Sequence, residues 1–221
     1  MPGGDAETPN SGSARVRRLA KLGLGVPGLH RRLANGLESP TPCRVDEEPP
    51  IIDLQSDEYF MGQALREARK AYAATEVPVG AVVVRAGRVI GRAWNQVETL
   101  KDATAHAEML ALTAAQQAVG DWRLEKCTLY VTKEPCPMCA GAIVHCRPER
   151  VVFGCPDPKG GAAGSWLNLL ESNPPLNHRC DVTAGVLADE CRSLLQSFFR
   201  EARERGKADR VDEGSALLGD R

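Results

Sequence analysis

His106 stands two residues before Glu108 in Thr104-Ala105-His106-Ala107-Glu108, and further along the chain Pro135-Cys136-Pro137-Met138-Cys139 supplies a second set of metal-binding side chains. One imidazole and two thiolates are the three ligands a catalytic zinc site uses when its fourth tetrahedral position is left to water. Zinc held in this way lowers the pKa of bound water from about 15.7 towards about 7, so hydroxide forms at neutral pH. Glu108 is then the natural proton carrier, a role typically worth about 10² to 10⁴ in rate. The competing reading is a closed structural zinc site. That would need a fourth protein ligand at compact spacing, for which His145 and Cys146 are the nearby candidates.

Both motifs need rigid supports, and the flanking sequence provides them. Ala105 to Val119 reads as a helix stopped by Gly120, and Pro137 to Cys146 as a helix with proline in its first turn, where a missing N–H costs nothing. Helix N-termini carry positive potential and free N–H groups, which favour thiolates. Earlier in the chain, Ser56 caps a helix with Asp57 and Glu58 in its first turn and an apolar face of Phe60, Met61, Ala64, Leu65, Ala68, Ala71 and Tyr72. Val79 to Arg85 and Arg88 to Trp94 read as a hairpin turning at Ala86-Gly87. Cys127 to Thr132, Arg150 to Gly154 and Cys180 to Val186 read as further strands. Pro156 to Ser165 is a glycine-rich loop, followed by a short helix over Trp166 to Leu170. A long last helix runs from Leu187 to Arg205, ended by Gly206. This order predicts a layered α/β sandwich with a mixed five-stranded sheet covered by helices.

The chain of 221 residues has room for one such domain plus extensions. No apolar run approaches the roughly 18 residues a membrane helix needs. A net charge of -1 means that any nucleic-acid contact must come from a local patch. No signal-peptide pattern precedes the eight cysteines, so a reducing, cytoplasmic setting is expected. Cys43, Cys127, Cys146, Cys155, Cys180 and Cys191 are expected to be mostly buried small hydrophobes. Residues 1–55 read as a disordered extension rich in Gly, Pro and Ser, 56–205 as the folded domain and 206–221 as a frayed tail. Within the extension, Arg15 to Leu37 interleaves Arg15, Arg17, Arg18, Lys21, Arg31 and Arg32 with leucines and has no acid. That composition fits a targeting peptide, an RNA-touching arm, a start placed too far upstream or a dispensable tail.

The H-x-E and P-C-x-x-C pieces together form the signature of the zinc nucleobase deaminases. A longer likeness runs from about Ser56 to Arg205. Glu76-Val77-Pro78-Val79-Gly80-Ala81, Trp94-Asn95, Leu129-Tyr130-Val131-Thr132, Glu134-Pro135-Cys136, Met138-Cys139-Ala140-Gly141-Ala142, Val151-Val152-Phe153-Gly154, Gly161-Ala162-Ala163-Gly164-Ser165, Asn177-His178-Arg179 and Gly185 to Cys191 resemble the bacterial tRNA-specific adenosine deaminases. The resemblance implies a three-layer α/β/α cytidine-deaminase-like fold, one zinc ion per subunit and a homodimer. It also implies hydrolytic conversion of adenosine to inosine at wobble position 34 of an arginine tRNA anticodon.

Carried over residue by residue, the resemblance implies that His106, Cys136 and Cys139 hold zinc and that Glu108 shuttles protons while hydroxide attacks C6. It implies that Asn95 contacts the flipped nucleoside, that Val79 and Ala107 wall its pocket, and that Asp157 and Lys159 lie near neighbouring anticodon nucleotides. Asn177, His178, Phe198 and Phe199 are implied near the anticodon loop. Asn95 and Asp157 could instead cap turns, and Phe198 and Phe199 could pack in the core. Two features depart from the family pattern: Pro156 stands where a basic residue is frequent, and Glu201 and Glu204 alternate with the arginines of the last helix. A deaminase of free bases or nucleosides, such as cytosine or guanine, would use the same zinc apparatus. A non-catalytic binding subunit would have no need of Glu108.

Overall fold

The computed structural model of the protein describes residues 53–172 and 176–216, with side chains described up to Lys207. The extension predicted over 1–55 lies almost wholly outside the described residues.

Helix α1 (Asp57–Ala73) starts where the sequence predicts, with Ser56 Oγ accepting the Tyr59 N–H at 3.1 Å. Strands β1 (Gly80–Arg85) and β2 (Arg88–Trp94) form the expected antiparallel hairpin. A short helix, α2 (Val97–Leu100), follows, and then α3 (Ala107–Val119), which Gly120 ends in the left-handed conformation. Next come β3 (Cys127–Lys133), α4 (Pro137–Cys146), β4 (Arg150–Cys155), β5 (Asp181–Ala184) and α5 (Ala188–Ala216).

The sheet order is β2-β1-β3-β4-β5, antiparallel across β2, β1 and β3 and parallel from β3 through β4 to β5. The predicted mixed five-stranded sheet is therefore the observed one, with helices on both faces. Gly80 backs onto α1 so closely that a Cβ would overlap the backbone of Ala64 and Ala68. Gly91, which pairs with Val83 on the opposite face, sits the same way against Ala111 and Ala115 of α3. Helix α5 lies beside α1, where Tyr72 stacks edge-on with Phe198 at 5.7 Å and donates its hydroxyl to Glu201 at 2.6 Å. Between the layers, Met61, Val82, Leu129, Val131, Ile143 and Val152 are fully buried.

Three local expectations are corrected. Trp166 to Leu170 is not helical: the chain folds back in a bridge between Ala163 and Asn168, and the N–H groups of Trp166 and Leu167 both go to Gly161 O. The fifth strand ends at Ala184 because Gly185 and Leu187 take positive φ. Gly206 does not stop α5, which runs on to Ala216. A glycine inside a helix costs about 1 kcal/mol relative to alanine and forces no turn unless the chain enters the left-handed region.

Candidate active site

Two helix starts build the site. His106 is the N-cap of α3, with extended backbone at φ -71 and ψ 152, so its ring hangs off the helix mouth while Glu108 sits inside the first turn. Cys136 is the N-cap of α4, with Pro137 at the first helical position, and Cys139 lies one turn on. Both helices follow the same side of the sheet, and their mouths meet. His106 Nδ1 is 3.7 Å from Cys136 Sγ and 3.4 Å from Cys139 Sγ, and all three ligand atoms lie within 4.8 Å of one another.

The donor set fits zinc. Tetrahedral bonds of about 2.0–2.1 Å to nitrogen and about 2.3 Å to sulfur place N and S about 3.6 Å apart, and the two observed separations bracket that value. Neither His145 nor Cys146 joins the cluster among the described residues. His145 is exposed, and Cys146 Sγ takes the Gln116 amide at 3.1 Å, so the closed four-ligand arrangement is not formed.

The protein's own groups stabilise one thiolate of the pair. The hydrogen bond shared with Cys139 holds Cys136 down at about 3, with further help from His106, while the same bond and burial push the Cys139 thiol up. A divalent cation is what stabilises both thiolates at once. Burial likewise pushes the Glu108 carboxyl, only 4% exposed, above its ordinary range.

His106, Glu108 and Cys136 open onto a cavity of about 530 Å³. Val79, Asn95, Phe198 and Phe199 line it too. Asn95 is buried and donates its amide to Glu76 at 3.2 Å. Phe198 is buried and Phe199 is 45% exposed, with ring centroids 5.5 Å apart. Ala107 is fully buried at the start of α3 and is not part of the lining.

The remaining implied substrate residues are placed differently. Asp157 Oδ1 accepts the Lys159 N–H at 3.1 Å and its other oxygen pairs with Lys133, so it shapes a turn, and Lys159 points to solvent. His178 Nε2 donates to Pro148 O at 2.7 Å, and Asn177 is exposed on the segment before β5; neither lines the cavity. Local sequence could not reveal which backbone carbonyl His178 would meet.

Two buried acids escaped the sequence reading. Glu76, 1% exposed, accepts the Glu98 and Thr99 N–H groups at 3.2 and 2.6 Å besides Asn95. Glu134, 2% exposed, accepts the N–H groups of Asp157, Ala163 and Ser165. Glu134 immediately precedes Pro135-Cys136, which was the only signal available, and nothing in the chain marks an acid whose partners are loop amides far along it.

The model of the cytidine and deoxycytidylate deaminase zinc-binding region matches residues 54–155. Over 157 residues the chain is 52% identical to a tRNA-specific adenosine deaminase of Bacillus subtilis (strain 168), covering 71% of this chain and 97% of that protein. It is 46% identical to a chloroplastic tRNA(adenine(34)) deaminase of Arabidopsis thaliana, covering 65% of this chain and 12% of that longer protein. A solved structure from work on A-to-I editing by tRNA:A34 deaminases at the wobble position of transfer RNA is 44% identical, with a TM-score of 0.60, covering 62% of this chain and 99% of the other. A guanine deaminase from Nitrosomonas europaea is 26% identical with a TM-score of 0.57, over 65% of this chain and 84% of its own. By its sequence, with His106, Cys136 and Cys139 gathered as a candidate ligand set, the chain belongs to the family of the cytidine and deoxycytidylate deaminase zinc-binding region, in its tRNA-specific adenosine deaminase branch.

Proposed function

We propose that this protein hydrolyses adenosine to inosine at the wobble position of a tRNA anticodon, that of an arginine tRNA, with release of ammonia. The observation that carries the reading is the Glu108 carboxyl group, buried beside His106 and Cys136 at one cavity that Asn95 also lines. His106 Nδ1 and the sulfurs of Cys136 and Cys139 are the atoms that hold one zinc ion per subunit. When bound, zinc supplies a Lewis acid that makes water acidic enough to give a nucleophile at neutral pH.

Glu108 would take a first proton from water as its oxygen bonds to C6 and pass it to N1 of the adenine ring, then take the second proton, from the hydroxyl now on C6, and pass it to the amino group as the C6–N bond breaks and ammonia leaves. Glu76, an acceptor only, fixes which end of Asn95 is the donor and leaves the Asn95 carbonyl oxygen as the acceptor for the nucleoside. Val79 and Phe198 offer apolar wall, and the half-exposed Phe199 offers a stacking face at the mouth, which suits a base drawn from a single-stranded loop. Ala107 backs the pocket from the start of α3. Asp157, Lys159, Asn177 and His178 are assigned to the outer, anticodon-loop side.

The protein works as a cytoplasmic homodimer, and residues 56–205 form its deaminase domain, with 1–55 as an extension. No helix among the described residues is long and apolar enough to cross a membrane. A second reading, a deaminase of free purines, is favoured by the likeness to the guanine deaminase.

Incubation with total tRNA, an anticodon stem-loop and free adenine, guanine and cytosine separates the two. Inosine in the RNA with no turnover of free bases supports the RNA reading; turnover of a free base alone overturns it.

A further inference from the structure

Helix α5 supplies two of the side chains lining the nucleoside cavity, Phe198 and Phe199. Cys191, Leu195 and Phe198 form its buried stripe, and Phe198 is the last buried side chain along it among the described residues. The helix nevertheless runs on to Ala216. A helix end without packing frays, and fraying that reached Phe198 would loosen the cavity wall.

A single tie stands in the way. Three residues past Phe198, about one helical turn, Glu201 Oε1 accepts the Tyr72 hydroxyl at 2.6 Å, across 129 positions of chain. The other hydrogen bonds and ion pairs of charged α5 side chains, among the described residues, stay inside the helix: Arg192 with Asp189, Arg200 with Ser197 and Arg205 with Glu201. Tyr72 also sets its ring edge-on against Phe198 at 5.7 Å, and Phe198 meets Phe199 in the same way at 5.5 Å. The bond to Glu201 raises the phenol above its ordinary 10, so at neutral pH it remains a donor.

Tyr72 holds a second lining segment as well. Its carbonyl accepts the Thr75 N–H at 3.0 Å, in the turn where Thr75 takes φ 63 and leads into Glu76 and Val77. Thr75, Glu76 and Val77 all line the same cavity. One residue near the end of α1 thus fixes both segments, while His106, Glu108, Cys136 and Cys139 belong to the starts of α3 and α4.

We infer that Tyr72 is a positioning residue for substrate: through Glu201 it latches the turn of α5 that follows Phe198 and Phe199, and so keeps the apolar wall closed on the nucleoside. The inference rests on the deaminase reading above. The latch serves binding and not the chemical step, because the reacting groups stand on other helices.

The test uses the full chain and an anticodon stem-loop RNA, with steady-state kinetics and amide hydrogen exchange read separately. Tyr72→Phe keeps the ring against Phe198 and removes only the hydroxyl. Its KM rises about three- to tenfold, the weight of one partly exposed hydrogen bond, while kcat stays at the wild-type value. Exchange speeds up over residues 196–205 and is unchanged over α3.

Glu201→Ala behaves like Tyr72→Phe, and the double variant is no worse than either single one. Glu201→Gln keeps an oxygen that accepts the phenol and restores most of the wild-type KM. Removing the acid alone would favour an anionic RNA and lower KM, the opposite sign. Zinc content reports that each variant is folded.

Wild-type KM and exchange in Tyr72→Phe overturn the latch, as do single effects that multiply in the double variant or a fall in kcat at unchanged KM. Absence of inosine with the wild type would instead remove the deaminase reading, and the exchange data would then decide the latch by themselves.

Discussion

Glu134 Oε2 accepts the main-chain N–H of Asp157 at 2.9 Å, while Oε1 of the same carboxylate accepts those of Ala163 and Ser165 at 3.0 Å each. One buried side chain thus ties the turn leading into Cys136 to the glycine-rich loop that follows β4. Gly161 lies so close that any Cβ there would overlap the Glu134 carboxylate. Glu134→Ala leaves three loop N–H groups without their acceptor and is expected to lower stability by about 2–4 kcal/mol. Gly161→Ala should cost about 1–3 kcal/mol by overpacking. Urea midpoints measure both, and wild-type midpoints would remove the tie.

Glu108→Ala and Glu108→Gln are expected to keep zinc at one equivalent and to lose about 10² to 10⁴ of the deamination rate. Metal analysis beside stem-loop turnover checks this. Normal turnover in either variant would sink the proton-transfer role.

Strong chelation should abolish deamination, and added zinc should restore it, because His106, Cys136 and Cys139 supply three ligands and leave a position for water. Cys139→Ser is expected to reduce bound zinc to well below one equivalent. Full metal content in that variant would mean the ligands lie elsewhere.

Acid should destabilise the fold through Asp57. Burial pushes its carboxyl up, but the Arg150 guanidinium, bonded at 2.9 and 2.7 Å, and the Tyr130 hydroxyl at 2.9 Å bring it below its ordinary 3.8. Glu76 and Glu134 are lowered below 4.5 by amide N–H groups that outweigh burial. The unfolded chain therefore binds more protons in this range, so stability is whole above the ordinary carboxylate values and falls as pH drops through the lowered ones. Urea midpoints from about pH 7 to about pH 3 should show the loss, and Asp57→Asn should shrink it.

The chemistry was legible before any coordinates because it sits in short windows. His106 with Glu108 and Cys136 with Cys139 are local pairs, each at a helix start marked by its own stop and start residues. The hairpin, the cap at Ser56 and the alternation of strands and helices are local too, since propensity, capping and turn chemistry act over a few residues. Asn95, Phe198 and Phe199 came from the longer family likeness, and the structure lines the cavity with all three.

Long-range partners decided the rest. The Trp166 to Leu170 segment has helix-forming residues, yet neighbouring loop amides are claimed by Gly161 and by Glu134, which lies far back in the sequence. Gly206 reads as a stop, yet α5 passes through it. That His178 serves Pro148, that Glu76 orients Asn95, and that Lys133, Arg192 and Arg203 share one cavity are facts of assembly. The sequence alone specifies which residues can do the chemistry and which elements carry them; the packed sheet alone specifies which distant groups meet, because a buried polar atom bonds to whatever tertiary packing brings within about 3 Å.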